Sequence, residues 1–293
     1  MISTVNAPDA ESLRASHAQE VTAGERFEFG QNWAAFLRLV DESRIETAVH
    51  SLTELLGTDR LEGKRFIDVG SGSGLFSLAA HRLGAEVRSF DYDPASVACT
   101  TELRRRFGRA DRTWSVEPGS VLDAGYIASL GTFDVVYSWG VLHHTGAMWD
   151  ACAQVAKLVA PGGQLFIALY NDQGAWSGRW RRIKQTYCSG ALGRAAVLGS
   201  YVPYAVIRGL VSDLVWGRNP AQRYTEYRKA RGMSMIHDWV DWLGGYPFEV
   251  AKPEVVFDFY RARGFELERL RTCGGSVGCN EFVFRRIRSG DRG

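Results

Sequence analysis

FIDVGSGSGLFSLAA, residues Phe66 to Ala80, is an apolar strand running through Asp68, then glycines at 70, 72 and 74, then the first turns of a helix. Glycines at that density let the backbone turn sharply and let a ligand lie against it with no Cβ in the way. The helix N-terminus that follows offers unpaired N–H groups to an anionic group. A dinucleotide loop needs GxGxxG, with its third glycine three positions after the second. Here that position is Leu75, and the third glycine comes one residue early.

An acid directly before the glycines suits a zwitterionic amino acid better than a pyrophosphate. The methionyl part of S-adenosylmethionine (SAM) carries an ammonium and a sulfonium, and negative charge favours both. Asp91 ends the next strand, about twenty residues beyond the loop, where a carboxylate accepts hydrogen bonds from both ribose hydroxyls. It would also repel a 2′-phosphate.

Outward from this loop, strands and helices alternate. Arg65–Val69 reads as a strand, Leu75–Leu83 as a helix and Glu86–Phe90 as a second strand. Asp93 and Pro94 make a helix start, a capping carboxylate followed by proline at the first helical position. Thr113–Glu117 and Phe133–Ser138 read as strands. Ala147–Val159 reads as a helix stopped by Pro161-Gly162-Gly163, with the strand Gln164–Tyr170 after it. Residues 171 to 252 break the rhythm, which resumes with a helix over Pro253–Arg263 and strands at Phe265–Arg271 and Glu281–Arg286. Such alternation predicts a parallel sheet with helices on both faces. The first 25 or so residues carry no sustained period and read as loose or weakly helical; Trp33–Leu56 has helical spacing. The expected division is an N-terminal helical segment or lid (1–60), a ligand-binding core (61–170), a helical substrate cap (171–252) and the rest of the core (253–293).

The stretches DVGSGSG, FDYDP, FDVVYSWGVLHHT and LVAPGGQLFIALY together resemble the class I SAM-dependent methyltransferases, especially the ubiquinone-biosynthesis O-methyltransferase branch, over roughly Leu61 to Tyr170. The resemblance implies an α/β, Rossmann-like fold: a mostly parallel seven-stranded sheet with an antiparallel last strand, here carrying a large helical insertion. It implies SAM as cofactor and S-adenosylhomocysteine (SAH) as product. Asp68, Gly70, Ser71, Gly72 and Gly74 would hold the methionyl group, and Asp91 with Tyr92 the ribose. Ser120, Val121 and Leu122 would flank the adenine; the family often has an acid where this chain has Ser120, and Asp123 is a substitute nearby. Ser138 to Val141, including Trp139, would form the floor beneath the sulfonium. Phe29 and Trp33 would fold over the cofactor, as N-terminal segments do in this family.

Methyl transfer from a sulfonium has a good leaving group, so positioning supplies much of the catalysis. A hydroxyl acceptor also needs its proton removed, which calls for a histidine or carboxylate base. His143 and His144 follow the fourth strand at the carboxyl edge; Tyr170 and Asn171 end the fifth at the same edge. His237 and Asp238 stand in the insertion among Trp239, Trp242, Tyr246 and Phe248, a base beneath an aromatic lid or else a surface helix whose tryptophans pack on the core. YNDQ stands where the amino-methylating branch acting on nucleic acid has an NPPY-like motif. The expected reaction is O-methylation of a small, lipophilic, quinol-like or natural-product acceptor. Alternatives are a carboxylate, amine, glycan or RNA acceptor, or a SAM sensor without catalysis.

Composition narrows the partners. The formal charge is +2, from 35 basic and 33 acidic residues, without the basic excess of a dedicated nucleic-acid binder. The five scattered cysteines lack metal-knuckle spacing and, with no signal-peptide pattern at the start, point to reduced thiols in a cytoplasmic protein and to no metal. Ala195 to Ile207 is uncharged but too short for a span of about twenty residues. With the basic-aromatic run before it, it fits a bilayer interface, the wall of a lipophilic tunnel or an ordinary helical cap. The oligomeric state is left open.

Overall fold

A computed structural model describes residues 10–30, 33, 36–219 and 235–288, with the side chains of 235–238 and 241 outside the description. The elements in chain order are α1 (Ala10–Thr22), α2 (Glu42–Leu56), β1 (Arg65–Val69), α3 (Leu75–Arg82), β2 (Glu86–Asp91), α4 (Pro94–Phe107), β3 (Trp114–Pro118), α5 (Ala124–Leu130) and β4 (Phe133–Trp139). A short 3-10 turn over Leu142–His144 leads to α6 (Met148–Lys157), β5 (Val159–Tyr170), α7 (Ala175–Cys188), α8 (Ala191–Val215), α9 (Met235–Gly244), α10 (Pro253–Arg261), β6 (Phe265–Arg271) and β7 (Cys279–Arg286).

The seven strands form one sheet in the order β3-β2-β1-β4-β5-β7-β6. β1 to β5 pair in parallel, and β7 runs antiparallel to both β5 and β6. The fold is therefore the Rossmann-like one that the alternation predicts. β1 is buried from Phe66 onward, as a central parallel strand must be when helices cover both faces. One apolar cluster, including Ile67, Val136, Ile167 and Tyr260, fills one side of the sheet; another, including Leu52, Phe66, Leu78 and Phe166, fills the other. The chain order reverses between β1 and β4. At such a switch point the loops leaving the carboxyl ends diverge and open a crevice. The glycine loop, Asp91, Trp139 to His144 and Tyr170 all stand at that edge.

Two features differ from the expectation. The N-terminal stretch is a regular helix, α1, whose weak periodicity reflects a narrow contact: only Leu13 and His17 are buried. β5 begins at Val159, and Pro161-Gly162-Gly163 lies in a register break, since Phe133 pairs with Val159 but Val135 pairs with Gln164. α7, α8 and α9 gather around a smaller cluster of Tyr187, Val197 and Leu243, with Phe27 and Trp180 packed against it.

Candidate active site

The glycine loop is held from both ends. The N–H groups of Gly70 and Ser71 donate to the Phe90 carbonyl at 2.9 and 3.1 Å, tying the loop to the end of β2. Gly70 has φ of 79°, and a Cβ there would come within 2.4 Å of Val141 in the turn after β4. Gly72 has φ of 53°, and a Cβ there would meet the Trp33 ring at 3.2 Å. Val141 and Trp33 thus pack directly on the loop backbone, and only glycine takes this conformation without strain. The Ser71 hydroxyl bonds Thr100 at 3.0 Å.

Asp68 is 2% exposed and accepts the Ser77 hydroxyl of α3 at 2.5 Å. Its carboxylate therefore braces the base of the loop against α3 through Oδ2. Burial pushes its pKa up to about 7, against the Ser77 hydrogen bond, and the charge of Asp91 adds to the rise. In Asp91, Oδ2 accepts the N–H of Gly72 at 2.8 Å and Oδ1 accepts that of Asp93 at 2.9 Å. Each oxygen keeps a second lone pair for a hydroxyl donor. Burial raises the Asp91 pKa to about 6, and its N–H bonds oppose that rise. Two buried acids whose pKa values are raised, Asp68 in part by Asp91 and Asp91 in part by Asp93, are relieved by a nearby cation. Glycine loop, buried acids and missing positive charge together fit SAM.

The segment after α1 crosses this region. Gly30 N–H donates to Asp93 at 2.7 Å, and Phe27 N–H donates to the Tyr246 carbonyl at 2.9 Å, so the segment joins the β2 edge to the insertion. Phe29 packs on His144 with ring centroids 5.0 Å apart. Tyr92 faces α1, donating its hydroxyl to Glu20 at 2.9 Å with the Arg26 guanidinium over its ring. Past β3, the Ser120 hydroxyl accepts from Leu122 N–H at 3.2 Å; Val121 is buried and Leu122 exposed. Asp123 caps α5, accepting from Gly125 and Tyr126 N–H at 2.9 and 3.0 Å. Ser138 donates to the Val69 carbonyl at 2.9 Å, locking β4 to β1. Trp139 is 48% exposed and donates its indole N–H to Glu281 at 2.9 Å.

At the β4–β5 edge, His143, His144 and Tyr170 form one aromatic cluster with Trp242 and Phe248 of the insertion. Tyr170 lies 4.0 Å from His143, 5.4 Å from His144, 5.6 Å from Trp242 and 5.1 Å from Phe248, centroid to centroid. The two imidazoles are held by different partners. The Pro247 carbonyl only accepts, so its 2.6 Å contact with His144 Nδ1 places the proton on Nδ1 and the free lone pair on Nε2. In His143, Nδ1 lies 3.3 Å from the Tyr170 nitrogen and the Ala168 backbone also hydrogen-bonds the ring. Its Nε2 is buried with no hydrogen-bond partner among the described residues. Burial holds both rings neutral, His143 well below the ordinary histidine value and His144 down to about 3. Asn171 serves the frame: its side chain reaches Ser276 and Asn280, at 3.4 and 3.1 Å. His237 and Asp238 belong to α9, but their side chains lie outside the described residues.

Lys184 is the residue that sequence reasoning passes over. It reads as part of a basic run, yet it is fully buried, donates to the Trp242 carbonyl and stands 4.0 Å from the Trp242 ring centroid. The only signal was its spacing, three residues before Tyr187 on the buried side of α7. Burial lowers its pKa to about 7. The unfolded lysine stays protonated to about 10.4. Between pH 7 and that value the unfolded chain therefore binds the extra proton, and stability rises with pH by up to about 1.4 kcal/mol per unit. Lys184→Met is expected to flatten this rise, as read from thermal unfolding between pH 7 and 9.5; an unchanged slope would mean that the lysine is solvated.

The methyltransferase-domain family profile matches residues 40–211. Ubiquinone biosynthesis O-methyltransferase of Rhizobium leguminosarum bv. trifolii is 32% identical over 111 residues, 38% of this chain and 42% of that protein. The protein of the same name in Burkholderia multivorans is 35% identical over 118 residues, 38% of this chain and 46% of that one. The match thus spans less than half the length of these curated relatives. Among solved structures, the magnesium protoporphyrin IX methyltransferase of Synechocystis PCC 6803 with SAH bound superposes with a TM-score of 0.51 at 14% identity, over 87% of this chain and 94% of that one. An O-methyltransferase family protein from Burkholderia thailandensis gives 0.50 at 15%, over 83% and 56%. At these identities the likeness is one of fold. With the glycine loop and its acids in place, a family match over more than half the chain has one consequence: this chain belongs to the methyltransferase-domain family.

Proposed function

We propose that the chain methylates a hydroxyl of a small, lipophilic acceptor, of the quinol-like or natural-product kind. The carrying observation is the neutral His144 imidazole, its lone pair on Nε2, in an aromatic cluster at the carboxyl edge. SAM, when bound, supplies a methyl group on a sulfonium that departs as a neutral thioether. The Nε2 lone pair of His144 takes the acceptor's proton, while His143, fully buried, packs behind it. Tyr170, Trp242 and Phe248 supply apolar faces for a flat ring and keep water from the reacting atoms. Asp91 holds the ribose, and Trp33 closes over Gly72. The curated relatives, named for O-methylation in ubiquinone biosynthesis, support the same acceptor class.

Labelled SAM added with the protein to a cell extract tests this directly. The expected result is label in the organic-soluble fraction, lost when His144 is replaced. Label in the macromolecular fraction would overturn the small-molecule reading, and tight SAM binding with no transfer to any fraction would favour a sensor.

A further inference from the structure

α8 is a 25-residue helix, long and apolar enough to cross a membrane, yet almost none of it is buried in the protein. Its exposed residues are not scattered. Tyr204, Ile207, Val211, Leu214 and Val215 recur at spacings of three and four, and range from 54% exposed at Val211 to 74% at Leu214. That is a single apolar stripe facing outward. Nearer its start the same side holds the helix to the protein: Val197, seven residues before Tyr204, is buried, and Tyr201 packs on Trp180 and Trp239 at 6.2 and 6.1 Å. From Tyr204 onward that side is exposed, and Asp213, on the opposite face, is the buried residue. A contiguous exposed apolar stripe on a soluble fold marks an interaction surface.

Charge says what covers it. Between residues 175 and 219 the only acid is Asp213, which is buried. The same stretch carries Arg179, Arg181, Arg182, Arg194, Arg208 and Arg218, all exposed. Trp176 and Trp216, 59% and 72% exposed, stand at the start of α7 and just beyond the end of α8. An apolar stripe with exposed arginines, interfacial tryptophans and no exposed acid is the pattern of a helix lying in the headgroup layer of an anionic bilayer. Crossing is disfavoured, because it would carry Arg208 and Asp213 into the hydrocarbon and strip the helix from α7.

We propose that the α7–α8 hairpin docks the enzyme on anionic phospholipid bilayers, with α8 lying in the interface along its Tyr204 to Val215 stripe. This surface is separate from the glycine loop and from the histidine cluster, so its test does not depend on which acceptor is methylated. The full-length protein is sedimented with phosphatidylcholine vesicles and with equimolar phosphatidylcholine–phosphatidylglycerol vesicles, at low and high salt. Binding to the anionic vesicles only, weakened by salt, is expected. Arg179→Gln and Arg182→Gln should each lower the partition coefficient about fivefold. Ile207→Glu with Val211→Glu should remove binding and leave SAM affinity intact. If that variant misfolds, Ile207→Ser with Val211→Ser should still cut binding by about tenfold. Failure to bind anionic vesicles, binding indifferent to lipid charge and salt, or an undiminished serine variant would each overturn the proposal. So would a wild-type dimer that the serine variant splits into monomers, because the stripe would then belong to a second copy of the chain.

Discussion

Asp91→Ala is expected to weaken SAM binding about 100-fold while the protein stays folded. The Asp91 carboxylate already accepts the N–H groups of Gly72 and Asp93, and each oxygen keeps a lone pair for a ribose hydroxyl. Losing two hydrogen bonds to a charged acceptor costs about 3 kcal/mol, about a hundredfold in affinity. Asp91→Asn keeps one acceptor oxygen and should cost about tenfold. The pH dependence gives an independent check. With its pKa raised to about 6, Asp91 binds a proton in the free protein below that pH, and hydroxyl donors favour the ionised form. SAM affinity should therefore rise with pH through about 6 to 7 and level off near 8, with a slope of about tenfold per unit for each proton lost. Asp91→Asn should remove the component near 6 and leave the one from Asp68, held at about 7. Titration calorimetry from pH 5 to 8 measures both. Unchanged affinity in Asp91→Ala would take the ribose away from this acid.

How much of this was legible depended on whether the determinant was local. Phe66 to Ala80 could be read because strand, turn and helix signals sit within fifteen residues, each with a backbone requirement of its own. Asp91 was legible for the same reason, as the end of the adjacent strand. The cap that Asp123 provides was not legible, because the seven residues of α5 are too few to show a period. How the histidines are held was out of reach. It depends on Pro247, 103 residues from His144, and on the Tyr170 backbone, 27 residues from His143. Lys184 shows the same limit: a lysine in a basic run reads as solvated until Trp242 and Phe248 are seen to close over it.

That non-local wiring leads to the second large effect. His144→Ala should lower turnover on a hydroxyl acceptor about 100-fold, the low end of what a general base contributes, with SAM affinity changed no more than about twofold. His144 has its lone pair on Nε2, because Pro247 fixes its proton on Nδ1. His143→Ala should cost less, because its ring is fully buried and its Nε2 reaches no acceptor among the described residues. A burial-lowered pKa of about 3 keeps His144 unprotonated throughout the neutral range. The wild-type rate at saturating SAM should accordingly show no limb near 6.5, where an unburied histidine would titrate. A limb at 6.5 that disappears in His144→Ala would mean that the ring is solvated during turnover and that its lone pair is not held as described. Full turnover in His144→Ala, with SAM binding intact, would pass the role to His237 or require no base at all. The acceptor would in that last case be an amine or an acidic thiol, which loses its proton without help.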